Sequence, residues 1–237
     1  LKSIGDFEFI NADIVTDIDL LNKAVIDKEY ILHLAAQVAV TTSVIDPRED
    51  FKINALGTFN ILEAIRLYNN KGILLYSSTN KVYGGLESVE TKIINDRYQF
   101  ASLKHGINED YNLDFHSPYG CSKGAADQYV RDYSRIFNLK TIVFRQSCIY
   151  GYRQFGIEDQ GWVAWFTIAA LFDKEITVYG DGKQVRDVLF IDDLVRAYDY
   201  AFESTNSIGK VYNMGGGYKF QLSLLELISL LEDNYQK

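Results

Sequence analysis

Tyr30-Ile31-Leu32-His33-Leu34-Ala35-Ala36 is a nearly unbroken apolar run. A strand with one face in water alternates apolar and polar residues, whereas an unbroken run suits a strand covered on both faces, as in a parallel sheet. Upstream of it, Phe7 to Asn11 reads as a short strand and Asp17 to Ile26 as a helix capped by Thr16 or Asp17. Downstream, a long helix follows Pro47, with Phe51, Ile53, Ala55, Phe59, Leu62, Ile65 and Leu67 as its apolar positions. Gly72 to Ser77 is a second buried strand, ending in the polar turn Ser77-Ser78-Thr79-Asn80. From Gly84 to Ser117 the pattern dissolves into a long polar loop, a kind of segment that is usually functional or disordered. A helix is expected from about Tyr119 to Phe137, then a strand at Thr141 to Arg145 and an irregular stretch from Tyr150 to Gly161. A helix at Trp162 to Phe172, a strand at Ile176 to Tyr179 and a turn at Gly180-Asp181-Gly182 come next. Last are a helix from Ile191 to Glu203, a strand at Lys210 to Asn213 and a helix from Ser223 to Asn234.

Strands alternating with helices predict an α/β fold, a doubly wound parallel sheet. Right-handed crossovers then bring the C-terminal ends of the strands to one rim, where ligands bind. The loops Ala35 to Gln37, Ser77 to Asn80 and Ser147 to Gly151 all follow strands, so all three share that rim.

Composition excludes several classes. Hydrophobic residues make up 47% and charged residues 24% of the 237 residues, which is not the balance of a disordered tail, a collagen-like rod or a disulfide scaffold. The greasiest stretch, Trp162 to Phe172, is broken by Thr167 and falls short of the roughly 18 residues a membrane span needs. The formal charge of −8, from 24 basic and 32 acidic residues with no Lys/Arg block, argues against a nucleic-acid or anionic-membrane partner. One or two local cations could still hold a single nucleotide. Cys121 and Cys148 are expected to be buried free thiols, and with three histidines the chain offers no metal-ligand spacing. Nothing resembles a signal peptide, so a reducing cytoplasm is the expected compartment.

Tyr119 and Lys123 stand four residues apart at the start of a helix and project from one face of it. An ammonium beside a phenol stabilises the phenolate and is expected to lower the tyrosine pKa from about 10 toward neutrality. Such a phenol can take a proton from a sugar hydroxyl and return it. The same spacing also describes an ordinary surface pair. The Ser77-Ser78-Thr79 turn could bring a hydroxyl to the same substrate oxygen, although Thr79 alone is equally a turn residue.

His33-Leu34-Ala35-Ala36, Asn54 with Gly57-Thr58, Tyr76-Ser77-Ser78-Thr79 with Val82-Tyr83-Gly84, Pro118-Tyr119-Gly120-Cys121-Ser122-Lys123 and Arg186-Asp187-Val188 occur in this order. Together they resemble the extended short-chain dehydrogenase/reductase superfamily, and within it the NAD-dependent epimerase/dehydratase family. Ser77 to Gly84, Asp114 to Tyr119, Tyr152 to Phe155 and Asp159 to Trp162 resemble the branch that acts at C2 of CDP-activated hexoses, the CDP-paratose/CDP-tyvelose epimerases. The glycine-rich turn that normally opens such a fold has no counterpart here, and Gly215-Gly216-Gly217 lacks its spacing. The resemblance therefore implies a fragment, without the first βαβ portion and a C-terminal end.

The resemblance implies NAD as cofactor, a nucleotide sugar (a CDP-hexose) as substrate, and a homo-oligomer, dimer or tetramer, formed through the helices around Asn54 and Tyr119. It implies a Rossmann-like fold, with a partial NAD-binding domain over residues 1–150 and a smaller substrate lobe over 151–237, from which Ile191 to Asn213 returns to the main domain. Thr79, Tyr119 and Lys123 would be the catalytic triad. Asp13 and Ile14 would sit by the adenine, and Leu34, Ala35, Ala36 and Gln37 would line the phosphate and ribose region. Asn54 would brace the helices, and Ser77, Ser78, Gln146 and Ser147 would flank the nicotinamide, the last two through main-chain groups. Asn80, Cys148, Arg153, Gln160, Tyr179 and Arg186 would face substrate, with Arg186 on the diphosphate. Residue by residue there are plainer alternatives: a strand end for Leu34 to Gln37, a core aromatic for Tyr179, and a salt bridge to Asp187 for Arg186. Cys148 stands where many relatives carry Asn. His116, tempting as an acid or base, reads as structural. Asn80-Lys81 replaces the Asp-Glu pair that dehydratases of the family use.

Overall fold

The structure, a computed structural model, describes residues 7–235. In chain order it contains α1 (Ile18–Ala24), β1 (Tyr30–His33), α2 (Val40–Ile45), α3 (Pro47–Phe51), a π-helical turn (Lys52–Leu56), α4 (Gly57–Tyr68) and β2 (Ile73–Thr79). A 3-10 turn (Asn80–Tyr83), the hairpin β3 (Thr91–Ile94) and β4 (Arg97–Phe100), then α5 (Ser117–Phe137) and β5 (Lys140–Gln146) follow. The remainder is β6 (Cys148–Tyr150), α6 (Trp162–Leu171), β7 (Val185–Phe190), α7 (Ile191–Glu203), β8 (Val211–Met214), β9 (Gln221–Ser223) and α8 (Leu224–Tyr235).

The main sheet is parallel throughout, in the order β1-β2-β5-β8. The central strands β2 and β5 lack polar alternation because both faces are covered; β1, at the edge, is not covered on both faces as expected, since Tyr30 and Leu32 are exposed on one of them. Leu74, Tyr76 and Val143 pack with Leu62, Ile65, Ala126 and Val130 of α4 and α5. The alternate residues Leu75, Ile142 and Phe144 pack on the other face with Leu194, Tyr198 and Ala201 of α7. Helices on both faces of a parallel sheet make this a Rossmann-like α/β architecture. A smaller sheet, β6-β7-β9, pairs β6 with β7 in parallel and β7 with β9 antiparallel. No described helix is long and apolar enough to cross a membrane.

Several expectations are corrected. Phe7 to Asn11 is not a strand: it pairs with nothing among the described residues, and Phe9 is 80% exposed. β1 stops at His33 rather than Ala36, because the main-chain N–H and C=O of Gln37 are taken by the Asn54 side chain (3.0 Å each), not by a strand. Ile176 to Tyr179 lies in a loop, and the strand of that region is β7. The loop from Gly84 to Ser117 holds the β3–β4 hairpin. Cys121 is exposed and Cys148 half-buried; both are free, but neither is buried.

The helix after Pro47 is one continuous run into α4, interrupted by the π turn over Lys52–Leu56. Its start is capped by Asp46, whose carboxylate accepts from Glu49 N at 3.0 Å. Helix α5 begins under strain. Ser117 takes φ 66° directly before Pro118, and its hydroxyl accepts from Gly120 N at 3.2 Å. One turn on, Gly124 lies against Phe115, where a Cβ would overlap the ring. The helix bearing Tyr119 and Lys123 is thus seated directly on the end of the preceding loop.

Candidate active site

Strands β1, β2 and β5 end at His33, Thr79 and Gln146, and the polar groups beyond them share one rim. Thr79, Tyr119 and Lys123 are 7%, 8% and 4% exposed, so the three are buried together between the end of β2 and the start of α5. The Thr79 hydroxyl lies near enough to the Tyr119 phenol to favour its ionised form. Lys123 Nζ donates to Ser77 O at 2.6 Å and lies 4.3 Å from the centre of the Tyr76 ring.

This geometry revises the expected electrostatics. Tyr119 is held above the ordinary value of 10.0 by burial, with the nearby Thr79 hydroxyl opposing that rise and the Asp50 charge adding to it. Burial lowers Lys123 to about 7, against the charges of Asp127 and Asp50, which raise it. The ammonium is aimed at the Ser77 carbonyl and the Tyr76 ring, and no hydrogen bond joins it to the phenol among the described residues. Lys123 therefore does not acidify Tyr119 directly. Burial also holds His33 neutral, at about 3, with the charge of Lys123 adding to the effect; its Nε2 is paired with Thr58 Oγ1 at 2.9 Å.

A lysine pushed down to about 7 from 10.5 has a consequence for stability. The unfolded chain binds its proton more tightly than the folded one, so this group costs stability in full below about pH 7 and progressively less toward 10.5. Lys123→Met removes that cost. Its melting temperature is expected to exceed wild type near about pH 6, and the advantage to shrink steadily as pH rises to about 10. Melting curves across that range check it; a difference that does not depend on pH would show that Lys123 is not desolvated.

The expected cofactor side runs from the end of β1 to the end of β5. A cavity of about 440 Å³ beyond β1 is lined by Asn11, Asp13, Ile14, Asp17, Ala35 and Ile53. Asp13 Oδ1 accepts from Val15 N at 2.7 Å, and Asn60 Nδ2 holds Ile14 O at 2.9 Å, fixing that wall. Leu34 is exposed, and Ala36 and Gln37 continue the wall toward Asn54. At the β5 end the Ser147 N–H is committed to Met214 O at 2.9 Å, while its buried hydroxyl lacks a partner. That hydroxyl is a polar group Ser147 has left for a ligand. Ser77 and Gln146 are joined side chain to side chain (2.9 Å), and Gln146 continues to the Tyr198 hydroxyl at 2.6 Å. Ser78 turns the other way, to Asp127 Oδ2 at 2.8 Å, so its hydroxyl points into the core.

On the opposite side of the triad, Asn80 is exposed in the 3-10 turn and Cys148 opens β6. Arg186 on β7 is exposed and forms no ion pair among the described residues. Asp187 instead accepts from Gly216 N (2.7 Å) and Gly217 N (3.1 Å), which excludes the plain salt bridge. Lys81 feels the positive charge of Arg186 and, with burial as the larger cause, is lowered. The two cations are thus near enough to repel each other. Arg153 (φ 62°), Gln160 and Tyr179 lie on exposed outer loops, where the Tyr179 hydroxyl reaches Glu158 at 3.2 Å; no hydrogen bond joins the three to the triad among the described residues. His116 is exposed and occupies the N-cap position of α5.

Residues that sequence reasoning passed over hold the site from behind. Arg145 and Asp127 form a fully buried two-point ion pair, Nε to Oδ2 and Nη2 to Oδ1, each at 2.9 Å. Arg145 also donates to the Tyr83 hydroxyl at 2.8 Å, which donates to Asn213 Oδ1 at 2.7 Å. The network ties the ends of β2, β5 and β8 to α5.

The sequence matches the family described as the NAD dependent epimerase/dehydratase family over residues 2–215. It is 50% identical over 242 aligned residues to a CDP-paratose 2-epimerase of Salmonella typhi, covering 98% of this chain and 71% of that protein. A putative UDP-glucose 4-epimerase of Methanocaldococcus jannaschii is 34% identical, covering 95% of this chain and 67% of that one. Among solved structures, UDP-glucuronic acid 4-epimerase from Bacillus cereus in complex with UDP-glucuronic acid and NAD superimposes with a TM-score of 0.81 at 31% identity, covering 100% of this chain and 68% of that one. With its parallel sheet, its buried Thr-Tyr-Lys group and a sequence match that runs from residue 2 to 215, this chain belongs to the NAD dependent epimerase/dehydratase family.

Proposed function

We propose that this chain carries the catalytic centre of a CDP-paratose 2-epimerase, interconverting CDP-paratose and CDP-tyvelose. The reading is carried by the burial of Thr79, Tyr119 and Lys123 as one group at the ligand rim; the 50% identity to the Salmonella typhi protein supports the choice of sugar. When bound, NAD supplies the reversible oxidation of the sugar carbon and, in its oxidised form, a positive charge. Tyr119 takes the proton of the C2 hydroxyl as that carbon is oxidised and returns one after the transient keto sugar has turned in the site. A phenol raised by burial is well matched to this task, since a nearby positive charge favours the phenolate where water is excluded. Thr79 orients the shared oxygen, and Lys123 donates to the Ser77 carbonyl and the cofactor ribose. Arg186 holds the diphosphate of the substrate, with Lys81 adding a second positive charge; Asn80, Cys148, Arg153, Gln160 and Tyr179 complete that side. Residues 1–150 together with Ile191 to Asn213 form the cofactor-binding part, the remainder serves the sugar nucleotide, and the chain assembles as a homo-oligomer.

The test is product analysis by NMR, with NAD supplied, on CDP-paratose, CDP-tyvelose and UDP-glucose. Interconversion of the two CDP sugars is expected. Formation of UDP-galactose instead would replace the C2 reading by a C4 one. Loss of water to a 4-keto-6-deoxy sugar would replace it by a dehydratase.

A further inference from the structure

We propose that Asp50 is a positioning residue of this site: its buried carboxylate fastens the cofactor-side loop to the helix bearing Tyr119 and Lys123 and sets the negative charge against which both groups work. The proposal rests on the acid–base reading of Tyr119 and Lys123 given above. Asp50 is 1% exposed, on α3. Its Oδ1 accepts from Gln37 Nε2 at 2.7 Å and from Asn54 Nδ2 at 3.1 Å. Its Oδ2 accepts from Ser122 Oγ at 2.5 Å. Ser122 lies next to Lys123 on α5, and Asn54 in turn holds both main-chain groups of Gln37. One carboxylate therefore joins the loop after β1, the π turn and the catalytic helix.

All three donors are neutral, and Asp50 has no ion-pair partner among the described residues. A buried carboxylate without a cation is an expensive way to cross-link three elements, and an uncharged residue would serve stability better. Its charge has an evident addressee instead. It favours the ammonium of Lys123 and disfavours the phenolate of Tyr119. The other groups facing Lys123 are Asp127 on its own helix, the Tyr76 ring from β2 and neutral His33 from β1. On the helix of Asp50, Arg48, Glu49 and Lys52 are exposed, the last two paired at 3.8 Å, and the neighbouring α2 has no titratable residue.

Asp50→Asn keeps the shape and deletes the charge. Two readouts are expected to move. The phenolate titration of Tyr119, taken as the absorbance difference against the matching Tyr119→Phe protein, falls by about one pH unit. Both limbs of the pH profile of kcat/KM shift to lower pH, since Lys123 also gives up its proton sooner. Ser122→Ala removes a donor but no charge, so it leaves both limbs in place. Should Asp50→Asn fold poorly, Asp50→Ser is titrated in its stead. An unmoved Tyr119 titration in the folded variant, or limbs that move equally in Ser122→Ala, overturns the proposal. The titration needs no substrate. A shifted titration in a protein that turns over none of the sugars would sink the proposed function and leave the role of Asp50 standing.

Discussion

Tyr119→Phe is expected to lower turnover by about 10² to 10⁴, the usual contribution of a positioned proton donor and acceptor. The substitution removes one oxygen and keeps the ring. Tyr119 is 8% exposed and its ring is kept by the substitution, so the packing of α5 against the rim is retained while the proton path is cut. Sugar-nucleotide affinity should change little, because the residues proposed to hold the diphosphate, Arg186 and Lys81, lie outside α5, on β7 and in the 3-10 turn. Turnover by NMR, a dissociation constant by calorimetry and a melting curve separate these effects. Near-normal turnover would remove Tyr119 as the proton carrier and return the search to the other groups at the rim.

The largest expected loss of stability comes from Asp127→Ala. Arg145 and Asp127 both have fully buried side chains, and the two-point contact is completed by Ser78 and Tyr83. Removing the carboxylate leaves a guanidinium in the core with nothing to neutralise it, at a cost of about 3–5 kcal/mol. The double variant Asp127→Ala/Arg145→Met is expected to be more stable than the single one, because both charges leave together. Urea titrations of the three proteins check this. A single-variant loss below about 1 kcal/mol would mean that water reaches the pair.

The main sheet was legible in the sequence wherever apolar runs were long. Gly72 to Ser77 and Thr141 to Arg145 correspond to β2 and β5, because strands covered on both faces leave an unbroken apolar signature; Ile191 to Glu203 is found as helix α7, and Lys210 to Asn213 overlaps β8. Short paired segments left no such mark. β6, with three residues, and β7 take their identity from each other, since Cys148 meets Val188 and Tyr150 meets Phe190. Ile176 to Tyr179 has the composition of a strand and no partner. At the site, the spacing of Tyr119 and Lys123 correctly placed two groups on one face of a helix, but not the direction of the ammonium, which depends on a carbonyl of β2. Asp127 and Arg145 did carry a signal. Each is a charge inside an apolar stretch, Ala125-Ala126-Asp127 and Val143-Phe144-Arg145, and such residues are buried only when paired. Asp50 carried none, because its burial depends on the helical turn that follows it.

That π turn makes chain length in this region a matter of angle. A π turn accommodates one residue more than a regular helical turn, and each residue of an α-helix advances about 100° around the axis. Deleting a single residue within Lys52–Leu56 would close the wide turn to a regular one and leave the two halves nearly in phase, whereas deleting one from the regular turn that follows would twist the first half of the rod by roughly a quarter of a revolution against its second. Ile61, Leu62 and Ile65 would keep their grip on the sheet, and Asp50 would swing away from the catalytic helix. The wide turn thus holds the slack between an anchored half and a functional half, and in the regular turns beside it sequence drift can change side chains far more freely than it can change their number.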